Sequence, residues 1–311
     1  LGLGESYDKT LINKKIRAYI DVGKPASSLP VTLTIICASI MYAELNGMDG
    51  IGFVLNNWTD VIYASITAFL LHSASQSLNM AEDAHIDRQT EHKQNRPIPS
   101  GVITEEEARS LAWIFMFVGI ARAFTITPEY GLFAIVLAFM GVFYNLDPIR
   151  AKKKLWVNLI WQAVSRGLLL YPAAFAVWGD ATNPVAWGMG VVAFLLVLSL
   201  QNSADLPDTD MDEEYDIITP AVYYGAIPLI QIMAGISLLM FIVLGIFIYL
   251  NIVPNFWLVY LLSVPIVLSL IKLYRNPQET SDISGQSAVW YVYYGSLASL
   301  YILPATQLIL F

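Results

Sequence analysis

Two short stretches hold most of the chemistry this chain can do. Asn79, Asp83 and Asp87 are spaced i, i+4, i+8; downstream, Asp208 and Asp212 are again i, i+4, with Asp205 one turn before them. On a continuing helix each set forms one stripe, and each stripe alone is self-repelling, because like charges at that spacing destabilise a helix. A cation held between the stripes removes the conflict. Oxygen ligands without histidine or thiolate partners suit Mg²⁺, which is usually held by one or two carboxylates together with substrate phosphates. The first stripe is followed by Lys93, Asn95 and Arg96 and then by Pro97-Ile98-Pro99-Ser100-Gly101. Carboxylates that hold metal, beside cations that grip phosphate oxygens, describe a diphosphate site.

The elements that must carry these stripes are membrane spans. The chain of 311 residues is 56% hydrophobic and 14% charged, against roughly 25% charged in a soluble domain, and its mean hydropathy is +0.57. A helix needs about 20 apolar residues to cross a bilayer. Nine runs meet that length, near 27–46, 58–79, 104–124, 129–146, 157–178, 184–204, 220–250, 255–274 and 288–310, and the seventh, with Pro228 inside it, is divisible into two pieces. Each acidic stripe begins where a span stops.

Orientation follows from Lys and Arg, which stay on the cytoplasmic side. Of the 17, 14 fall in the N-terminal segment and in the loops after the second, fourth and eighth spans, all on one face, and the loops around 47–57, 180–183 and 251–254 on the other face have none. The N-terminus and both stripes are therefore expected on the cytoplasmic side. Arg109 and Arg122 lie near the ends of the third span; Arg166 lies well inside the fifth, where a charge is costly and usually faces a cavity or a partner. The chain reads as one domain, 1–311, with a polar segment 1–25 and acidic loops at 79–103 and 205–219. The lone Cys37 excludes an internal disulfide and a Cys-based zinc site. No nucleic-acid partner and no cleavable signal peptide are expected. His72, His85 and His92 read as structural or exposed, Trp290, Tyr291, Tyr293 and Tyr294 as an interfacial belt or, in part, as lining of a substrate channel, and Thr104 with Glu105, Glu106 and Glu107 as a capped helix start.

A diphosphate site at the mouth of a helical bundle in lipid suits a substrate with a hydrophobic tail, such as a polyprenyl diphosphate. Here the residues carry a resemblance. Asn79-x3-Asp83-x3-Asp87, then nine residues to Arg96 within Asn95-Arg96-Pro97-Ile98-Pro99-Ser100-Gly101, resembles the first signature of the UbiA superfamily of intramembrane prenyltransferases. Asp205-Leu206-Pro207-Asp208-Thr209-Asp210-Met211-Asp212, with Thr219-Pro220 after it, resembles the second. Tyr144-Asn145-Leu146-Asp147-Pro148-Ile149-Arg150-Ala151-Lys152 is similar to the loop after that family's fourth helix, and Lys24-Pro25 to its entry into the first span. Asp216 and Met211 stand where members often have glycine. Arg166-Gly167-Leu168-Leu169-Leu170 is similar to some homogentisate-type members.

The resemblance implies an all-α integral membrane protein, nine transmembrane helices around a central cavity, with the two Asp-rich motifs facing each other as in soluble isoprenyl diphosphate synthases. It implies that Asp83, Asp87, Asp208 and Asp212 hold Mg²⁺, with Asn79 orienting metal or phosphate and Asp205 as ligand or neighbour to the ligands. Lys93, Arg96 and Arg150 or Lys152 would neutralise the diphosphate as it leaves. Tyr144, Trp161, Tyr171 and Arg166 would line the cavity of the allylic cation, the rings by cation–π attraction. Asp147 or a spare carboxylate would take the acceptor's proton. The expected activity is Mg²⁺-dependent transfer of a prenyl group to a lipophilic or aromatic acceptor, with quinone precursors favoured. The alternatives are a geranylgeranylglyceryl phosphate geranylgeranyltransferase, a terpene cyclase on the same scaffold, or a cation transporter. The expected location is the cell membrane of a prokaryote.

Overall fold

The computed structural model describes residues 9–90, 93–277 and 288–311; His92 lies outside them, as do the side chains of residues 288–290, Trp290 included. The described chain is helical, with no strand among these residues. In order the helices are α1 Lys9–Asp21, α2 Pro25–Leu45, α3 Gly50–Asn56, α4 Trp58–Glu82, α5 Ala84–Asp87, α6 Glu105–Ile126, α7 Pro128–Asn145, α8 Leu155–Ala163, α9 Leu170–Ala176, α10 Pro184–Leu200, α11 Thr209–Glu214, α12 Pro220–Tyr224, α13 Ala226–Tyr249, α14 Ser263–Arg275 and α15 Ala288–Leu310.

Six helical stretches among the described residues are long and apolar enough to cross a membrane: Pro25–Leu45, Glu105–Ile126, Pro128–Asn145, Pro184–Ala204, Ala226–Tyr249 and Trp257–Arg275. The other three apolar runs also form helix, and each departs from a plain span for a visible reason. α4 carries a polar face of Ser73, Gln76, Ser77 and Asn79. The run at 157–178 is split by a π-turn, Val164–Leu168, between α8 and α9. α15 is diluted by tyrosines, Pro304 and Gln307. The seventh run does divide, at Gly225 with φ 74 between α12 and α13 rather than at Pro228.

Outward-facing Phe117, Leu132, Leu238 and Leu268 are exposed, an apolar girdle suited to lipid. With apolar solvent outside, packing between helices comes from close van der Waals contact and small residues. α10 is the most enclosed span, and it touches α13, α8, α9 and the π-turn. The approach to the π-turn is closest: a Cβ on Gly167 would lie 2.6 Å from the Phe194 Cα, and one on Gly190 would lie 2.4 Å from the Leu168 carbonyl oxygen.

At one end of the bundle α1 lies across the first acidic loop. Its Ala18, and Val22 just past its end, pack on Met80, Ala81, Ile98 and Ile103. Lys15 and the Tyr19 hydroxyl both donate to Glu107, at 3.0 and 2.9 Å. Glu107 also closes a capping box with Thr104 at the start of α6, as the sequence there predicts.

Candidate active site

α4 ends at Glu82 because Asp83 adopts a non-helical cap, φ −96 and ψ 1, after which α5 resumes for one turn. The break is slight, so Asn79, Asp83 and Asp87 still open onto one pocket. Asn79 Nδ2 donates to Asp83 Oδ2 at 3.0 Å and to Asn145 Oδ1 at 2.9 Å. Asn145 is fully buried at the end of α7, where it donates to the Gly141 carbonyl. Lys152 Nζ lies 2.5 Å from Asp83 Oδ1, and Arg96 Nη1 lies 2.7 Å from Asp87 Oδ2, a buried carboxylate.

The second stripe follows from the way α10 ends. A 3₁₀ turn, Gln201–Ala204, tightens the chain; Asp205 and Pro207 then lead to α11, with Asp208 at its N-cap and Asp212 in its first turn. The stripes meet across the pocket. Lys93 Nζ donates to Asp208 Oδ2 at 2.7 Å, Thr90 Oγ1 to Met211 Sδ at 2.7 Å, and the Tyr215 hydroxyl to Gln89. One pocket is thus lined by Asn79, Asp83, Asp87, Lys93, Arg96, Lys152, Asp205, Asp208 and Asp212.

Its charges are unevenly matched. Asp83, Asp87 and Asp208 each have a bonded cation, whereas Asp205 Oδ2 is buried without a hydrogen-bond partner among the described residues. Burial, and then Asp212 and Asp208, hold the Asp205 carboxyl well above the usual range. Burial and then Asp208 push Asp212 up to about 7, with Lys93 opposing. Such shifts mark a site where added positive charge is favourable. No preassembled group of three metal-ligating side chains occurs among the described residues. The donor set, oxygens only with an orphaned acceptor among them, fits a hard divalent cation.

Behind this pocket lies an apolar cavity, walled by Val31, Ile35, Leu71, Leu137, Met140 and Trp161 among others. Ser75, Tyr144, Gln162 and Arg166 line both spaces and form the seam between them. The Tyr144 hydroxyl donates to Asn158 Oδ1 at 2.9 Å and accepts from Gln162 Nε2 at 3.0 Å. Trp161 is fixed by a 2.7 Å bond from Nε1 to the Met140 carbonyl.

Three expected residues stand elsewhere. Tyr171 is fully buried, sets its ring at a 46° tilt to that of Tyr301 and donates to the Leu300 carbonyl, so it lines neither space. Arg150, at φ 40 in the turn before Lys152, is absent from both linings, and its Nε is buried without a partner. Asp147 is exposed in the same loop. Of the basic loop, only Lys152 reaches the carboxylates. His72 is not an exposed residue; it lines the apolar cavity. Of the aromatic run, Tyr293 is buried, Tyr291 is exposed and Tyr294 lines the carboxylate pocket.

Sequence reasoning passed over Asn145, Asn158 and Gln162 as site residues. Their signal was available: polar amides inside or at the end of apolar runs need partners. Lys24 also lines the carboxylate pocket, and burial followed by repulsion from Arg96 lowers its ammonium to about 7.

A sequence model described as the UbiA prenyltransferase family matches residues 50–307. The chain is 26% identical over 258 residues to a digeranylgeranylglyceryl phosphate synthase of Methanosphaera stadtmanae, covering 82% of this chain and 85% of that one. It is 23% identical over 237 residues to a 4-hydroxybenzoate octaprenyltransferase of Vibrio campbellii, covering 75% and 78%. Among solved structures, a UbiA homolog from Archaeoglobus fulgidus bound to GPP and Mg²⁺ superposes with a TM-score of 0.67 at 15% identity, over 94% of this chain and 99% of that one. A digeranylgeranylglyceryl phosphate synthase superposes with a TM-score of 0.63 at 16% identity, over 95% and 97%.

Proposed function

The chain belongs to the UbiA prenyltransferase family, and from that premise we propose that it is a Mg²⁺-dependent intramembrane enzyme that ionises a polyprenyl diphosphate and passes the prenyl group to an acceptor. The observation that carries this reading is the meeting of both acidic stripes with Lys93, Arg96 and Lys152 in one pocket that opens onto an apolar cavity. We further read α4, the broken α8–α9 pair and α15 as crossings beside the six apolar stretches, nine in all, with the N-terminus and both stripes on the cytoplasmic side.

Asp83 and Asp87 from one side and Asp208 and Asp212 from the other would hold Mg²⁺, with Asp205 beside them. Bound there, the metal supplies positive charge that stabilises the departing diphosphate. Lys93, Arg96 and Lys152 exchange their carboxylate partners for phosphate oxygens and neutralise the charge that develops as the C–O bond breaks. Asn79, fixed between Asp83 and Asn145, holds the Asp83 carboxylate in orientation. Tyr144 and Trp161 present electron-rich rings to the allylic cation, and the apolar cavity takes the prenyl chain and keeps water away.

Quinone-precursor acceptors such as a hydroxybenzoate are the first reading. A glyceryl phosphate ether is the second, supported by the likeness to the Methanosphaera stadtmanae synthase along most of both chains. The test is incubation of the purified protein with Mg²⁺, prenyl diphosphates of several lengths and a panel of these acceptors, with products read by mass spectrometry. A prenylated acceptor supports the reading. A cyclised hydrocarbon in its place identifies a terpene cyclase, and no diphosphate release with any substrate refutes the proposal.

A further inference from the structure

The π-turn Val164–Leu168 aims the one cation of the fifth apolar run at the seam between the two spaces. α10 clamps the turn at Gly167, and Arg166 lines both the carboxylate pocket and the apolar cavity. Its situation differs from that of three other cations of the pocket and resembles that of Lys24. Lys93, Arg96 and Lys152 each hold a carboxylate, whereas Arg166 makes no salt bridge among the described residues. It stands close enough to Lys24, His72, Tyr144, Tyr293 and Tyr294 to act on each electrostatically. On the apolar side its polar companion is His72, whose Nε2 lies 3.3 Å from both Ser27 Oγ and Gln76 Nε2.

A cation in that position opposes prenyl transfer unless something offsets it. An allylic cation forming at the seam would be repelled by the guanidinium, and the low-dielectric surroundings strengthen the repulsion. The diphosphate leaves on the far side, where three other cations meet it. With the carboxylates of the pocket committed to metal and to the other cations in the proposed reading, the second substrate is left to supply the offset. We propose that Arg166, with His72 beside it, anchors an anionic group of the acceptor, a carboxylate or a phosphate, at the seam. The acceptor's anion both fixes its nucleophilic atom next to the prenyl carbon and screens Arg166 from the carbocation. Arg166 is then a positioning and specificity residue, and this inference rests on the prenyl-transfer reading.

The experiment uses the full-length protein in detergent, as wild type, Arg166→Met and Arg166→Lys. Mg²⁺-dependent binding of geranylgeranyl diphosphate is measured first; failure of the wild type to bind it overturns the prenyl-transfer reading itself. Two matched acceptor pairs follow: 4-hydroxybenzoate with its methyl ester, and a geranylgeranyl glyceryl ether phosphate with the ether lacking the phosphate. The wild type is expected to prefer the charged member of one pair by at least about tenfold in kcat/KM, and the preferred pair identifies carboxylate or phosphate. Loss of one charge-assisted contact corresponds to roughly 10- to 100-fold. Arg166→Met should raise KM for that charged acceptor by about this factor, leave KM for the prenyl diphosphate unchanged and collapse the charged-to-neutral preference. Arg166→Lys should restore part of it. Equal use of charged and neutral acceptors by the wild type overturns the inference without any variant. So does an Arg166→Met effect that falls on the KM of the prenyl diphosphate, which would assign Arg166 to the diphosphate clamp.

Discussion

Replacing Lys93 with Met should change two affinities in opposite directions. Lys93 Nζ is bonded to Asp208 Oδ2 at 2.7 Å, with the lysine side chain 13% and the aspartate 27% exposed. A divalent cation at Asp208 must compete with that ammonium. The pair is neither a solvated surface bridge, worth a few tenths of a kcal/mol to about 1 kcal/mol, nor fully buried, so about 1 kcal/mol is a fair measure after screening. Its removal should tighten Mg²⁺ binding in the absence of diphosphate roughly fivefold. The same lysine is assigned to the phosphate oxygens, where a charged hydrogen bond contributes about 1.5–3 kcal/mol, so binding of geranyl diphosphate with saturating Mg²⁺ should weaken by roughly 10- to 150-fold. Calorimetric titration of each ligand into wild type, Lys93→Met and Lys93→Arg reads both effects without turnover. If Mg²⁺ alone binds more weakly to Lys93→Met, the competition is refuted. If diphosphate affinity is unchanged, Lys93 is no part of the phosphate clamp.

Asp83→Asn and Asp208→Asn should each abolish diphosphate release while leaving the protein folded in detergent, as checked by a release assay beside a thermal melt; full activity in either removes the metal assignment. Asp212 gives a pH dependence of definite sign. Its folded value, about 7, is raised from 3.8, so the folded state binds more protons than the unfolded state between those values, and stability falls as pH rises through that window. Thermal melts of metal-free protein should drop from pH 4 towards pH 7, and Mg²⁺ should flatten the drop. Gly167→Ala places a Cβ 2.6 Å from the Phe194 Cα and should destabilise the protein by about 1–3 kcal/mol through overpacking. A melting temperature equal to wild type would show that the π-turn has slack.

The periodicity of apolar residues located the helices well because span length is a strong physical constraint. It was weaker where a helix serves the site. α4 carries Ser75, Gln76 and Asn79 because it faces a polar pocket, so its hydropathy understates its helical length. The π-turn at Val164–Leu168 has no local sign beyond Gly167, because its cause is the fit against α10, a contact between residues distant in sequence. The division of the seventh run was expected from Pro228 inside it and falls at Gly225; Pro228 lies in the first turn of α13, where the missing N–H costs nothing.

The charged residues of the site were legible as a set, but their partners were not, and the reason is electrostatic. Spacing showed two acidic stripes that needed positive charge, and the reading from sequence supplied it from metal and assigned Lys93, Arg96 and Arg150 or Lys152 to phosphate. In the structure Lys93, Arg96 and Lys152 sit on Asp208, Asp87 and Asp83. In a pocket of low dielectric, carboxylates and cations within reach of one another pair, since an unpaired buried charge costs several kcal/mol. Lys93, Arg96 and Lys152 each hold a carboxylate whenever they do not hold a phosphate. It follows that metal and diphosphate should bind far better together than singly: metal frees the cations, and the freed cations receive the phosphate oxygens. Asp205 and Asp212, which have no bonded cation among the described residues, are then the natural first landing for metal. This order is testable, because Asp212→Asn should weaken Mg²⁺ binding measured alone more than Asp87→Asn does, Asp87 being already paired with Arg96. Equal losses in the two variants would mean that the ion pairs are no barrier to metal.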